Sequence, residues 1–438
     1  MSRRRAAGLV PLVLAAVLGA TTACGPAGPE VPALQVIASV NGSYPVQQKQ
    51  WFAGIAAKFK QRTGANLEFD TFSSTGDVLT RMQTSVISNQ GPDVFELGTT
   101  FTPTAFSTGA FTTLTDEDWA KVGGKQRFRP ETLGLSGPPG REIAVPETSL
   151  PYVLVYNKDL LAKAGISRPA DSWDGLLAQA KQLTRDGAYG LSVAYGDTGD
   201  TWKLVRNLTV QLGNPLVQGK TVTLDDPRTL AAYRTLYSWR SAGVVDPAAA
   251  GWNNSQALAE FAAGKSAMML GTSGLSQHTL DSSAVAGKYA YATMPTIPPG
   301  HTTVPPGGRP ATSILSGNNL VVADYSRQPG LAFAYIDLVT SEAEQEHLFD
   351  VFGTLPANAA ATAKVTAGKP ALKPILDSGR GSAGTPFTGA WGDVQLQLSN
   401  VTVQLIPQLA RGCVSDTQIT EQLRAAQKTA SDAVARAR

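Results

Sequence analysis

Cysteine is almost missing from this chain: Cys24 and Cys413 are the only two in 438 residues. A framework of disulfides is excluded, and Cys413 is expected as a small, partly buried residue rather than a reactive thiol. Histidine is as scarce. His278, His301 and His347 share no metal-ligand spacing, so no metal centre is expected. No Gly-x-Ser-x-Gly elbow occurs, which removes one common nucleophile. Phosphate-cradling loops are missing too. Gly379-Arg380-Gly381-Ser382-Ala383-Gly384 carries three glycines at dinucleotide spacing, but Pro370 and Pro374 before it and Pro386 after it deny the strand and helix that the fingerprint needs, so it reads as a loop. Gly264-Lys265-Ser266 ends like a phosphate loop, yet Ala259 stands where the first glycine belongs and a strand follows. No cofactor is expected.

Long apolar runs are limited to one, residues 6–20, and it contains Pro11. At roughly fifteen residues it is too short for a mature transmembrane helix. Arg3, Arg4 and Arg5 precede it and Thr21-Thr22-Ala23-Cys24 follow, the layout of a secretory signal peptide over residues 1–23. Small residues before a cysteine resemble the bacterial lipobox, in which Cys24 would receive a diacylglyceryl chain and begin the mature protein. Thr21 stands where that motif usually has Leu, and ordinary cleavage with release of a free protein is the alternative. If Cys24 is lipidated, Cys413 has no partner. Residues 24–32 form a Gly/Pro-rich tether. Removing residues 1–23 takes away three of 37 basic residues and none of 34 acidic ones, so the mature chain is formally neutral. It therefore has no electrostatic reason to bind nucleic acid or an anionic bilayer.

The remaining roughly 400 residues are enough for two cores. Residues 34–39, 66–72 and 93–97 read as apolar strands, separated by helical spacing over 48–63 and 77–88. Strands alternating with helices predict an α/β fold of mostly parallel sheets flanked by helices. Further strands are expected at 142–145, 152–157, 267–270 and 315–323, and helices at 158–164, 173–185, 229–241, 255–263, 329–340, 343–349, 394–409 and 416–437. Between 187 and 252 the pattern is mixed helix and loop. Residues 295–310, dense in proline and glycine, are a linker or loop.

Carboxylates and indoles are what the chain offers for chemistry. Glu96 ends a buried-type strand and Glu147 sits in a Pro-Glu-Thr-Ser turn. Ligands of open α/β sheets collect at the carboxyl ends of strands, so both placements suit a site, either for binding or for acid and base work on a glycoside. Trp202, Trp252 and Trp391 lie in polar or Gly-rich surroundings, where an indole can stack on the apolar face of a sugar. Trp51, Trp173 and Trp239 fall at helical positions and are assigned to the core.

Seven short stretches then occur in a fixed order. They are 91–95 (GPDVF), 156–160 (YNKDL), 172–176 (SWDGL), 261–269 (FAAGKSAMM), 317–320 (GNNL), 340–345 (TSEAEQ) and 355–357 (LPA). Together they resemble the carbohydrate-binding extracellular solute-binding proteins of ABC importers, the maltose-binding-protein-like group. The resemblance implies a two-lobed periplasmic-binding-protein-like fold of type II with a solute between the lobes. It assigns 31–147 plus 311–352 to the first lobe and 148–310 plus 353–438 to the second. By position it implies ligand contacts from Asn41, Tyr44, Glu96, Thr99, Thr100 and Asn318 on the first lobe and from Trp202, Ser273 and Trp391 on the second, to which the reading of the residues themselves adds Glu147 and Trp252. The chain departs from the family pattern at Leu150-Pro151-Tyr152, where many members have Asp-Thr-Arg, and at Ser273, where many have Trp.

The expected function is therefore a lipid-anchored, monomeric sugar receptor on the outer face of the cell membrane, passing its cargo to ABC permease subunits without chemistry. The alternatives are the same fold with a polyamine, peptide or metal chelate as cargo, and an exported glycosidase using Glu96 and Glu147. Few acids are expected near the cleft, which weighs against a polyamine.

Overall fold

The computed structural model describes residues 31–272 and 276–437. In chain order, the strands of its two larger sheets are β1 (Ala33–Ser39), β2 (Asn66–Phe72), β3 (Val94–Gly98), β4 (Ala144–Pro146), β5 (Tyr152–Asn157), β6 (Tyr189–Ser192), β7 (Ser266–Thr272), β8 (Tyr289–Ala292) and β9 (Asn318–Val322). One sheet has the order β2-β1-β3-β9-β4 and the other β8-β5-β7-β6. Each has its own core, so the molecule has two lobes.

The first lobe starts as the sequence pattern requires. The helix Pro45–Thr63 begins on a proline, which needs no hydrogen-bond partner at that position, and stops where Gly64 turns left-handed and returns its N–H to the Lys60 carbonyl. Trp51, Ile55 and Phe59 recur every four residues along it, so one stripe is buried, each side chain contributing roughly 2 kcal/mol. That stripe packs with Leu34 and Val36 of β1 and Leu67 of β2. Strand β9 is buried along Asn319–Val322, which explains its unbroken apolar run at the middle of the sheet.

The expectation of mostly parallel sheets needs correction. β1 runs parallel to β2 and β3, and β7 parallel to β6, but β9 is antiparallel to both β3 and β4, and β5 to both β7 and β8. The cause is chain order. β9 returns to the first sheet from the second lobe and enters it in the reverse direction.

Other differences are local. Of residues 315–323, read as one strand, only Asn318–Val322 forms β9, and a separate short strand just before them, Ser313–Ile314, pairs with Ser382–Ala383. Gly379 and Arg380 close a helix, Lys373–Arg380, rather than lying in a loop. Cys413 is exposed, not partly buried, because it follows the end of the helix Trp391–Ala410 at the surface. Trp173 and Trp239 do sit in the core, stacked 5.8 Å apart. No helix among the described residues is long and apolar enough to cross a membrane. Cys24, the signal segment and most of the tether lie outside the described residues.

Candidate functional site

The carboxyl ends of β1 and β3 face a segment of the second lobe, residues 196–203, across a continuous cleft. Three cavities of about 340, 430 and 220 Å³ meet there, and Ser39 at the end of β1 lines all three. Around the first are Asn41, Gln48, Trp51, Glu96, Glu147 and Asn318 from one side and Asp197 and Asn254 from the other. The smallest cavity adds Thr99, Thr100, Asp200, Trp202 and Lys203.

Glu96 projects from β3 into a set of donors. Its Oε1 accepts from the Ser39 hydroxyl at 2.5 Å and from the Asn318 Nδ2 at 2.8 Å. Asn318 is held in turn, its backbone N–H donating to Thr148 Oγ1 at 2.9 Å. Glu147 differs. Its backbone bonds to Asn318 and Ala357, yet its carboxyl accepts no hydrogen bond from any described residue, although the residue is only 4% exposed. Burial pushes both carboxyls above their usual range, Glu147 well above, and the neighbouring charge of Glu96 pushes Glu147 the same way. The two Ser39 hydrogen bonds partly offset the burial of Glu96.

The opposing wall is built by turns. Asp197 accepts from the backbone N–H groups of Gly199 at 2.9 Å and Asn254 at 3.1 Å, and its own carbonyl accepts the Thr201 hydroxyl. Burial, with the charge of Asp200 second, raises its pKa. Asp200 is bridged to Lys203 at 2.7 Å and bonded to the Asn254 side chain. This pairing holds the start of the helix Thr201–Gln211 against the cleft, and Trp202 with it.

Not every expected residue lines the cleft. Asn41 does, although its side chain is occupied by the turn, accepting from the N–H groups of Ser43 and Tyr44. Tyr44 instead bridges the lobes, its hydroxyl 3.2 Å from Thr279 Oγ1 and its ring edge-on to His278. Trp252 is half-buried and packs against the hydrophobic clusters of the second lobe. Trp391 is the clearest correction. It opens the helix Trp391–Ala410, is 0% exposed and packs edge-on to Trp202 in the second core, lining none of the three cavities. Ser273 lies outside the described residues.

Ser39, Gln48, Asp197, Asp200, Lys203 and Asn254 were missed by sequence reasoning. A run of Asp and Gly at 196–200, just after β6 and before a helix, was the signal available for two of them. The expectation of few acids at the cleft is also overturned, since Glu96, Glu147, Asp197 and Asp200 all reach it. No group of three His, Cys, Asp or Glu among the described residues could hold a metal ion.

The arrangement resembles known binding proteins. A family model described as bacterial extracellular solute-binding protein matches residues 43–346. The diacetylchitobiose binding protein DasA of Streptomyces coelicolor is 26% identical over 372 residues, 81% of this chain and 80% of that protein. Among solved structures, the maltose-bound MalE3 of T. maritima superposes with a TM-score of 0.75 at 20% identity, covering 91% of this chain and 99% of that one. An ABC transporter solute-binding protein of Thermotoga lettingae bound with α-D-tagatose gives 0.75 at 17% identity, covering 92% and 100%.

Proposed function

The chain belongs to the family of bacterial extracellular solute-binding proteins, and from that premise we propose that it captures a sugar between its lobes for an ABC importer. The observation that carries this reading is the cleft at the carboxyl ends of β1 and β3, lined by Ser39, Asn41, Gln48, Asn254 and Asn318 together with Trp51 and Phe52. Amide and hydroxyl groups match sugar hydroxyls, and aromatic rings match the apolar face of the sugar. The sugars in the names of DasA and the two solved relatives point the same way.

The first lobe is taken as 31–147 plus 311–352, and the second as 148–310 plus 353–438. Ligand contacts made only when both walls meet shift an open-to-closed equilibrium, and the closed form is what the permease subunits read. No bond is made or broken in the cargo. Cys24 carries the lipid that holds the protein, a monomer, at the outer face of the cell membrane.

A thermal-shift screen against neutral mono- and disaccharides tests the sugar, because a ligand that binds only the folded state raises the melting temperature by mass action. At least one sugar is expected to do so and to be recovered intact. No shift across the panel, or a cleaved product, counts against the proposal. Cys24→Ser is expected to free the protein from membranes with sugar affinity unchanged, and retention after a high-salt wash would count against the anchor.

A further inference from the structure

The larger acidic side of the cleft has no cation to match it. Glu96, Glu147 and Asp197 line the 340 Å³ cavity, and no Lys, Arg or His among the described residues lines it with them. Lys203, in the adjoining cavity, is already bridged to Asp200. Asp197 has two backbone N–H donors and Glu96 has Ser39 and Asn318. Glu147 alone has no such partner among the described residues, and it is 96% removed from solvent while still forming part of the cavity wall. An unpartnered carboxyl that deep is costly, and proteins keep such groups paired unless something else completes them.

We propose that the cargo is a sugar or cyclitol bearing a basic nitrogen, and that its ammonium group seats on Glu147 beside Glu96. This inference rests on the sugar-binding reading above and narrows it to one chemical class. A metal ion is the poorer candidate, because the described carboxylates do not gather into a metal-holding group. An ammonium needs no such set: three N–H donors reach Glu147, Glu96 and one neutral acceptor, and the carboxyl has already been desolvated by folding, so binding does not bear that cost again.

The groups facing Glu147 are Glu96 from β3, Asp197 across the cleft and the neutral Tyr335 phenol behind it. With no cation among them, burial raises both carboxyls and the charge of Glu96 raises Glu147 further, a direction that an ammonium seated between them reverses. Any proton the pair holds passes to the buffer as the protonated amine enters, and the amine keeps its own.

The test uses matched pairs of probes: glucose with glucosamine, galactose with galactosamine, and N,N′-diacetylchitobiose with the glucosamine disaccharide. Calorimetry in two buffers of different ionisation enthalpy reads both affinity and proton release. The amine of at least one pair is expected to bind about ten- to a hundredfold tighter than its neutral counterpart. Glu147→Gln, which keeps the shape, should abolish that advantage, so that the amine and the neutral sugar of each pair bind within about threefold of one another. Neutral sugars binding as well as or better than their amines would overturn the ammonium site and leave the sugar reading standing. An amine preference that survives in Glu147→Gln would overturn the role of this residue. Binding by none of the six would overturn the sugar reading and the ammonium site together.

Discussion

Trp391 shows how a residue can mislead. Gly389, Ala390 and Gly392 around it read as a loop, but the glycines are there for close packing: a Cβ on Gly389 would come 2.4 Å from the Ser107 side chain, and one on Gly392 would press on Thr104 Oγ1 at 3.1 Å. The Gly392 N–H donates to that same hydroxyl. Neighbouring composition cannot report a contact made 288 positions away in the chain. Trp391→Ala should therefore cost about 3–5 kcal/mol of stability, read as a lower urea midpoint, while sugar affinity falls less than about tenfold. Glu147 was legible as a cleft acid from its turn, though its lack of a partner was not. Because its folded-state pKa lies above the ordinary 4.5, the folded chain holds a proton that the unfolded chain gives up. Stability from this group is thus lost as pH rises from about 4.5 through the folded value, the reverse of the Glu131 and Glu142 carboxyls, which lie lowered beside Arg129 and Lys125. Glu147→Gln is expected to melt above wild type near pH 7 and level with it near pH 4, so an equal gap at both values would contradict the sign.

Elements with a clear period were readable and junctions were not. The helix Pro45–Thr63 and the strands β1, β2 and β5 follow from spacing alone because each buries one regular face or run against its own lobe. The junction at 313–318 has no such face. Ser313–Ile314 belongs with Ser382–Ala383, and the chain then turns through Gly317, at φ 152°, into β9. A Cβ on Gly317 would lie 2.1 Å from the Thr148 carbonyl oxygen. Two strands crossing between the lobes touch backbone to backbone here, and the Gly317 carbonyl also accepts the Thr99 N–H at 2.9 Å. Gly317→Ala should cost on the order of 3 kcal/mol and displace Asn318 from Glu96, so both the melting temperature and the sugar affinity are expected to fall. An unchanged melting temperature would mean that the junction yields freely.

At the scale of the molecule the two lobes already meet outside the cleft, through Tyr44 with Thr279 and His278 at one place and Phe106 with Phe387 at another. Tyr44→Phe keeps the ring contacts and removes the Thr279 hydrogen bond, worth about 0.5–1.5 kcal/mol. The variant should favour the open form, with a larger ligand-free radius of gyration in solution scattering and about two- to tenfold weaker sugar binding. Two lobes were legible from length and motif order, whereas the contacts joining them depend on a closing angle that no local pattern encodes. The place of β9 has a consequence for how the protein is made. Among the described residues strand β4 has β9 as its only sheet neighbour, and one edge of β3 stays open until β9 arrives, yet β9 is synthesised after all of β5 to β8. A chain that has grown only as far as residue 316 thus carries an unfinished sheet with a bare hydrogen-bonding edge, a form prone to aggregate. The strand that closes the first sheet is thus among the last of the sheet strands to be made, and the chain stays without that closure through most of its synthesis. A product truncated after Ser316 should be protease-sensitive throughout its first 150 residues, where the full-length chain resists.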